Sequence, residues 1–186
     1  MIALLLAVAG GGPDAAAALR AYSLRAPTFW ETELRVEGFV AHSDRGALVG
    51  SGLGAGLSLV SVITPPSQAM IGPWTALRAG IAARASIATK APRARLEVPF
   101  SFGAMRALGG VEEGGIWRGW AFGAVLAPQV VVGGGIHGAW LRAEGWVDRV
   151  SLSGPKEPQL RLALTVQAPV GIGETQLGAA IAIAWY

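Results

Sequence analysis

The sequence predicts an all-β fold, an eight-stranded antiparallel up-and-down transmembrane β-barrel preceded by a short apolar leader. Three observations predict it. Hydrophobic residues make up 52% of the 186 positions, charged residues only 15%, and mean hydropathy is +0.47, a composition too apolar for an ordinary water-soluble domain. No stretch reads as about 18 or more purely apolar residues, and 27 Gly and 11 Pro are spread along the chain, which disfavours a bundle of spanning helices. From Phe29 onward, charged and apolar residues alternate with period two, the signature of strands with two different faces.

The leader is Met1 to Ala9, then Gly-Gly-Gly-Pro-Asp and Ala15 to Ala18. A short apolar run followed by small residues reads as a secretory signal peptide over 1–18, cleaved after Ala17 or Ala18, although a basic residue ahead of the apolar run is missing. Residues 19–28 are then an N-terminal lead-in, and 29–186 the barrel. With Cys at 0, there is no disulfide framework, thiol nucleophile or Cys-based zinc site.

The first segment, Trp30 to Val40, puts Glu31, Glu33, Arg35 and Glu37 on one side and Trp30, Thr32, Leu34, Val36 and Val40 on the other. A helix would spread those four charges around its circumference. The second, Ala47 to Val62, sets Val49, Leu53, Leu57 and Leu59 against Gly50, Gly52, Gly54, Gly56 and Ser58, so its second face is small rather than charged. In the third, Leu77 to Ala88, Arg78 and Arg84 oppose Leu77, Ile81 and Ile87. In the fourth, Arg93, Arg95, Glu97 and Ser101 oppose Leu96, Val98, Phe100 and Phe102.

Ile116 to Leu126 is apolar nearly throughout. Segment 139–148 places Trp140, Arg142, Glu144, Trp146 and Asp148 against Ala139, Leu141, Ala143 and Val147. Near the end, Gln159, Arg161, Thr165 and Gln167 oppose Leu160, Leu162, Leu164 and Val166, and Leu177 to Tyr186 alternates bulky residues with Gly and Ala. Small inward residues on some strands make room for long Arg and Glu from others, as a narrow barrel requires. The connections fall at 42–45, 63–73, 89–92, 107–114, 127–129, 151–157 and 169–174, all short and rich in turn formers. Pro99, which cannot donate a ladder hydrogen bond, predicts a bulge or strand end.

Within these segments the inward set is Glu31, Glu33, Arg35, Glu37, Arg78, Arg84, Arg93, Arg95, Glu97, Arg142, Glu144, Asp148 and Arg161. The outward charges are Arg106, Arg118 and Arg149, all near segment ends. There a lipid-facing Arg costs about 0–1 kcal/mol, against roughly 2–4 kcal/mol at the bilayer midplane. Trp30, Trp74 and Trp117 open the first, third and fifth strands, and Trp185 and Tyr186 close the eighth. In an antiparallel meander all these points share one rim, as a membrane-interface aromatic girdle does.

With its leader, its alternating segments and its aromatic end Trp185-Tyr186, the chain resembles the small eight-stranded outer-membrane β-barrels of bacteria over residues 29–186. The resemblance is architectural. It implies a bacterial outer-membrane location, with outer-membrane lipid as the surroundings. Two features depart from that class. Trp185 rather than Tyr186 is in phase with Ile181 and Ile183, and the connections on the side away from the termini are the shorter set, which speaks against adhesion or receptor roles carried by long loops.

Candidate chemistry is sparse. The inward charges offer paired carboxylates for acid–base work, but a near-balanced set in so narrow a lumen reads more simply as a self-neutralising plug. His42-Ser43-Asp44 has the residue types of a hydrolase triad, yet adjacent turn residues cannot form its chain of hydrogen bonds. His137 is the only other histidine, which leaves no His-rich metal site. Gly50 to Gly56 lacks the Lys-Ser/Thr ending of a P-loop. No cofactor is implied.

Lys90 and Lys156 are the only lysines among 15 basic residues, and no basic run marks a nucleic-acid surface. The expectation is a non-enzymatic barrel with a charge-plugged lumen, structural or anchoring, with an envelope protein partner at its periplasmic rim. The alternatives are a narrow channel for small anions or polar solutes, and a polytopic α-helical membrane protein using residues 47–63, 119–141 and the C-terminal segment as spans.

Overall fold

A computed structural model describes residues 28–43, 46–64, 72–88, 91–111, 117–133, 136–152, 158–171 and 173–185; positions 42, 43, 46, 91–95, 117, 136, 137, 151 and 152 are described by backbone alone. Eight strands follow one another: β1 (Thr28–Ser43), β2 (Gly46–Val62), β3 (Trp74–Ala88), β4 (Ala91–Val111), β5 (Trp117–Gly133), β6 (Ile136–Leu152), β7 (Gln159–Pro169) and β8 (Gln176–Trp185). Each pairs antiparallel with its neighbour, and β1 pairs with β8 from Thr32↔Trp185 to Ala41↔Gln176, closing the sheet. Closure leaves no free strand edge. No helix occurs among the described residues, so the alternative of helical spans is overturned: the described parts of 47–63 and 119–141 and residues 177–185 are almost entirely strand.

The alternation sets the two faces. Leu34, Val36, Leu53, Ile81, Phe102, Leu126, Leu162, Leu164 and Ile181 are exposed on the outer wall, while eleven acidic and guanidinium side chains of the described strands are buried inside; Arg106, Arg118 and Arg149 face outward. The register explains how so many long side chains fit. Glu31, Glu33, Arg35 and Glu37 of β1 lie opposite Ser58, Gly56, Gly54 and Gly52 of β2, and Gly54 also faces Arg84 of β3. A Cβ added at Gly54 would stand 2.7 Å from Cγ of Arg84 and 3.4 Å from Cγ of Arg35. The glycine row of β2 is therefore the floor on which two rows of charge lie, and residues 50–56 are strand rather than a phosphate-binding loop.

The lumen has tiers. At the end where β1 begins and β8 finishes, Phe29, Val60, Trp74, Met105, Trp146 and Val150 form an apolar cluster, with the Phe29 and Trp74 rings edge to face at 6.3 Å. The charges occupy the middle. Toward the opposite end come Gln129, Gln167 and Gln176.

Three expectations need correction. Residues 127–129 are not a connection: β5 runs through Pro128, paired with Leu141, and the chain turns after Gly133, whose φ of 103° suits glycine. Pro128 faces outward and Gln129 inward, so the alternation continues through the proline. Similarly, 107–114 is not all connection, because β4 continues to Val111 and pairs there with Trp117. Pro99 causes neither a strand end nor a register shift. The ladder to β3 simply passes from Ile81↔Phe100 to Arg84↔Glu97, leaving Ala82 and Ala83 unpaired opposite Pro99 and Val98, and the recorded register shift lies between Ser86 and Ala88 instead.

Candidate functional site

Two arginines organise the buried charges. Arg161 of β7, 0% exposed, reaches across the lumen to β1 and sideways to β6. Its Nη1 and Nη2 donate to Oε1 and Oε2 of Glu31 at 2.8 and 3.0 Å, Nη1 also to Oε2 of Glu33 at 2.7 Å, and Nε and Nη2 to Oδ2 of Asp148 at 3.0 and 2.8 Å. Its guanidinium carbon stands 4.0 Å from the centroid of the Trp146 ring, joining the charged tier to the apolar one. Gly123 of β5 makes this stacking possible, since a Cβ there would overlap the Trp146 indole. Arg78 of β3 adds a 2.6 Å bond to Oε1 of Glu31.

Arg142 of β6 forks onto Glu37, with Nη1 and Nη2 donating at 2.9 and 2.7 Å, and Nη2 also donates to Oε2 of Glu144 at 3.1 Å. Arg35 donates to that same Oε2 at 2.8 Å and lies 3.3 Å from Glu33. Arg84 comes only to 3.6 Å from it. The planar guanidinium fork suits this work, since it pairs bidentately and keeps its charge where water is scarce. Thr165 donates to Glu37, Ser86 to Glu97, and amides of Gln129 and Gln167 donate onward to Gln167 and Gln176.

Glu31, Glu33, Arg35, Glu37, Arg78, Arg84, Glu97, Arg142, Glu144, Asp148 and Arg161 are thus all buried in the lumen. Among the described residues all but Glu97 join the ion-pair web directly, and Ser86 donates to Glu97. The side chains of Arg93 and Arg95 lie outside the described residues, as do those of His42, Ser43, Asp44 and His137. Sequence reasoning did not place Gln129 here because it assigned that residue to a turn. Its phase with Ala127 and Val131 is the signal that would have found it.

The aromatic set divides. Trp30 is 60% exposed and Trp185 half-buried on the outer wall, near one another through the Thr32↔Trp185 pair. Trp74 is corrected: at 3% exposure it points into the lumen, because it is in phase with Ala76 and Arg78. Position along the strand put Trp74 at the right rim, but parity decides the face. The Trp117 side chain and Tyr186 lie outside the described residues. Trp120, 54% exposed, is an outward aromatic at that same rim that the sequence reading did not select.

Around Trp120 stand the outward arginines Arg106, Arg118 and Arg149, all exposed and all in the halves of β4, β5 and β6 nearest the start of β1 and the end of β8. Trp120 lies directly opposite Arg149, and Arg106 opposite Phe122. No other charged side chain is on the outer wall among the described strand residues.

The lumen leaves little open space. One cavity of about 20 Å³ is lined by residues including Arg35, Arg78, Arg84, Ser101 and Glu144, and a second of about 10 Å³ by residues including Phe39, Arg84, Ser86 and Glu97. A single water needs roughly 10–15 Å³ by the same measure. Neither a scan against protein-family models nor a search of curated proteins finds a match to this chain.

Proposed function

We propose that the chain is a non-enzymatic β-barrel of the bacterial outer membrane, with a plugged lumen and a structural or anchoring role. One observation carries the reading. The outer wall of a closed barrel bears large apolar side chains on every strand, while all but three of its described strand charges are sequestered inside, the reverse of a water-soluble barrel. Burying carboxylates and guanidiniums is costly unless each is paired, and a chain has reason to bear that cost only where the outside is less hospitable still. Strands of 10 to 21 residues are long enough to cross the apolar layer, for which about 9–11 tilted residues suffice. Arg106, Arg118, Arg149, Trp30 and Trp120, gathered toward the rim where β1 begins and β8 ends, suit a membrane interface, where arginine and tryptophan reach head groups.

The plug argues against the channel reading. An apolar tier and a charged tier lie in series, and the cavities within the charged tier are of single-water size. A partner would meet the rim rather than the lumen, and an envelope protein at the periplasmic rim is the partner this reading proposes. Fractionation of cells together with gel migration before and after boiling tests it. The reading expects the chain in the outer-membrane fraction and a faster-migrating unboiled form. Recovery in the soluble fraction would refute it, and discrete openings in planar bilayers would restore the channel.

A further inference from the structure

Among the described residues the lumen buries six carboxylates and five guanidiniums, and they are not evenly spread. Among the described residues, three carboxylates, Glu31, Glu33 and Asp148, converge on the single Arg161, with Arg78 at one side. Farther along the lumen the imbalance reverses. The 20 Å³ cavity is lined by four guanidiniums, Arg35, Arg78, Arg84 and Arg142, and by only two carboxylates, Glu33 and Glu144. Oε2 of Glu144 already accepts from Arg35 at 2.8 Å and Arg142 at 3.1 Å, so Arg84 at 3.6 Å is the least neutralised charge of the group.

The donors tell the same story. Nε and Nη2 of Arg35, Nε of Arg78, and Nε and Nη1 of Arg84 are buried and have no acceptor among the described residues. All three residues line this one cavity, where the hydroxyl-bearing Ser58 and Ser101 also stand. Buried N–H groups of a cation without an acceptor are costly. Arg142 and Arg78 are answered by Glu37 and Glu31 outside the cavity lining, so the charge left weakly answered is that of Arg84; water would satisfy the hydrogen bonds alone, whereas an anion would also face that charge.

We propose that this cavity binds one small monovalent anion, a halide in chemical class, held by the guanidiniums of Arg35, Arg78 and Arg84. The volume, about that of one water, fits a monatomic ion. The anion would complete the plug as a resident component. This inference rests on the lumen geometry alone and stands or falls apart from the membrane location.

The test uses the full chain folded in detergent micelles. At constant ionic strength, with gluconate replaced stepwise by chloride, the unfolding midpoint should rise and saturate, as linkage to a bound ligand requires. Bromide should act alike, and Arg84→Gln should abolish the dependence while keeping the heat-modifiable band. A flat chloride response, or an unchanged response in Arg84→Gln, overturns the proposal. Should Arg84→Gln fail to fold, crystals of the unaltered chain grown in bromide decide: an anomalous peak within hydrogen-bond reach of Arg84 supports the site, and its absence there overturns it.

Discussion

Around Trp74 the lumen is filled with carbon, and around Arg142 the same cylinder is filled with charge. The apolar tier of Phe29, Val60, Met105, Trp146 and Val150 is held by packing and exclusion of water, which act roughly in proportion to volume and area. The ionic tier is held by reciprocity, since Glu31, Glu33, Glu37, Glu144 and Asp148 are each tolerable because a guanidinium from another strand answers them. The contrast teaches that one inward-facing row can solve two problems. Carbon seals the end of the barrel where β1 begins, while charge ties β1, β3, β6 and β7 together across the middle.

The two tiers should therefore break differently. The largest loss is expected from Arg161→Met, which strands Glu31, Glu33 and Asp148 without their shared partner; it should cost about 3–5 kcal/mol in urea unfolding from micelles. A loss well below 1 kcal/mol would mean the ionic tier is not coupled. Met105→Ala, in the apolar tier, should cost about 2–5 kcal/mol by creating a cavity, and additively with Ser86→Ala in the charged tier. Gly123→Ala drives a methyl group into the Trp146 ring that carries Arg161, and an overpacking cost of about 1–3 kcal/mol should appear as altered Trp fluorescence together with a lower midpoint. The smallest effect, about 0.5–1.5 kcal/mol, is expected from Thr165→Val, which removes a single donor to Glu37 and leaves the Arg142 fork in place.

The same contrast shows what could be read in the sequence. Strand number and the charged face were legible because Glu31 to Glu37, Arg142 to Asp148 and Gln159 to Gln167 repeat with period two. So was the role of small residues, since glycines at 50, 52, 54 and 56 fall in the phase that β1 charges need opposite them. The apolar tier was harder to see, because an inward Trp74 or Met105 looks chemically like an outward one and only phase tells them apart. Pro128 imitated a turn: proline ends helices and central ladders so often that its place inside β5 is visible only through the continued alternation on either side. The cross-lumen partnerships, such as Arg161 with Glu31, join residues far apart in sequence. They depend on barrel closure, which no local pattern encodes.

The outer wall carries the central claim, and Leu164, 72% exposed near the middle of β7, is the place to test it. Folding free energies in phospholipid vesicles should be compared for Leu164→Arg and for Trp30→Arg at the rim. A lipid-embedded wall predicts a loss of about 2–4 kcal/mol for Leu164→Arg beyond the charge-only cost of about 0–1 kcal/mol at the rim. Equal stability of the Leu164→Arg protein and the unaltered chain would contradict it, for then water, not lipid, meets that face.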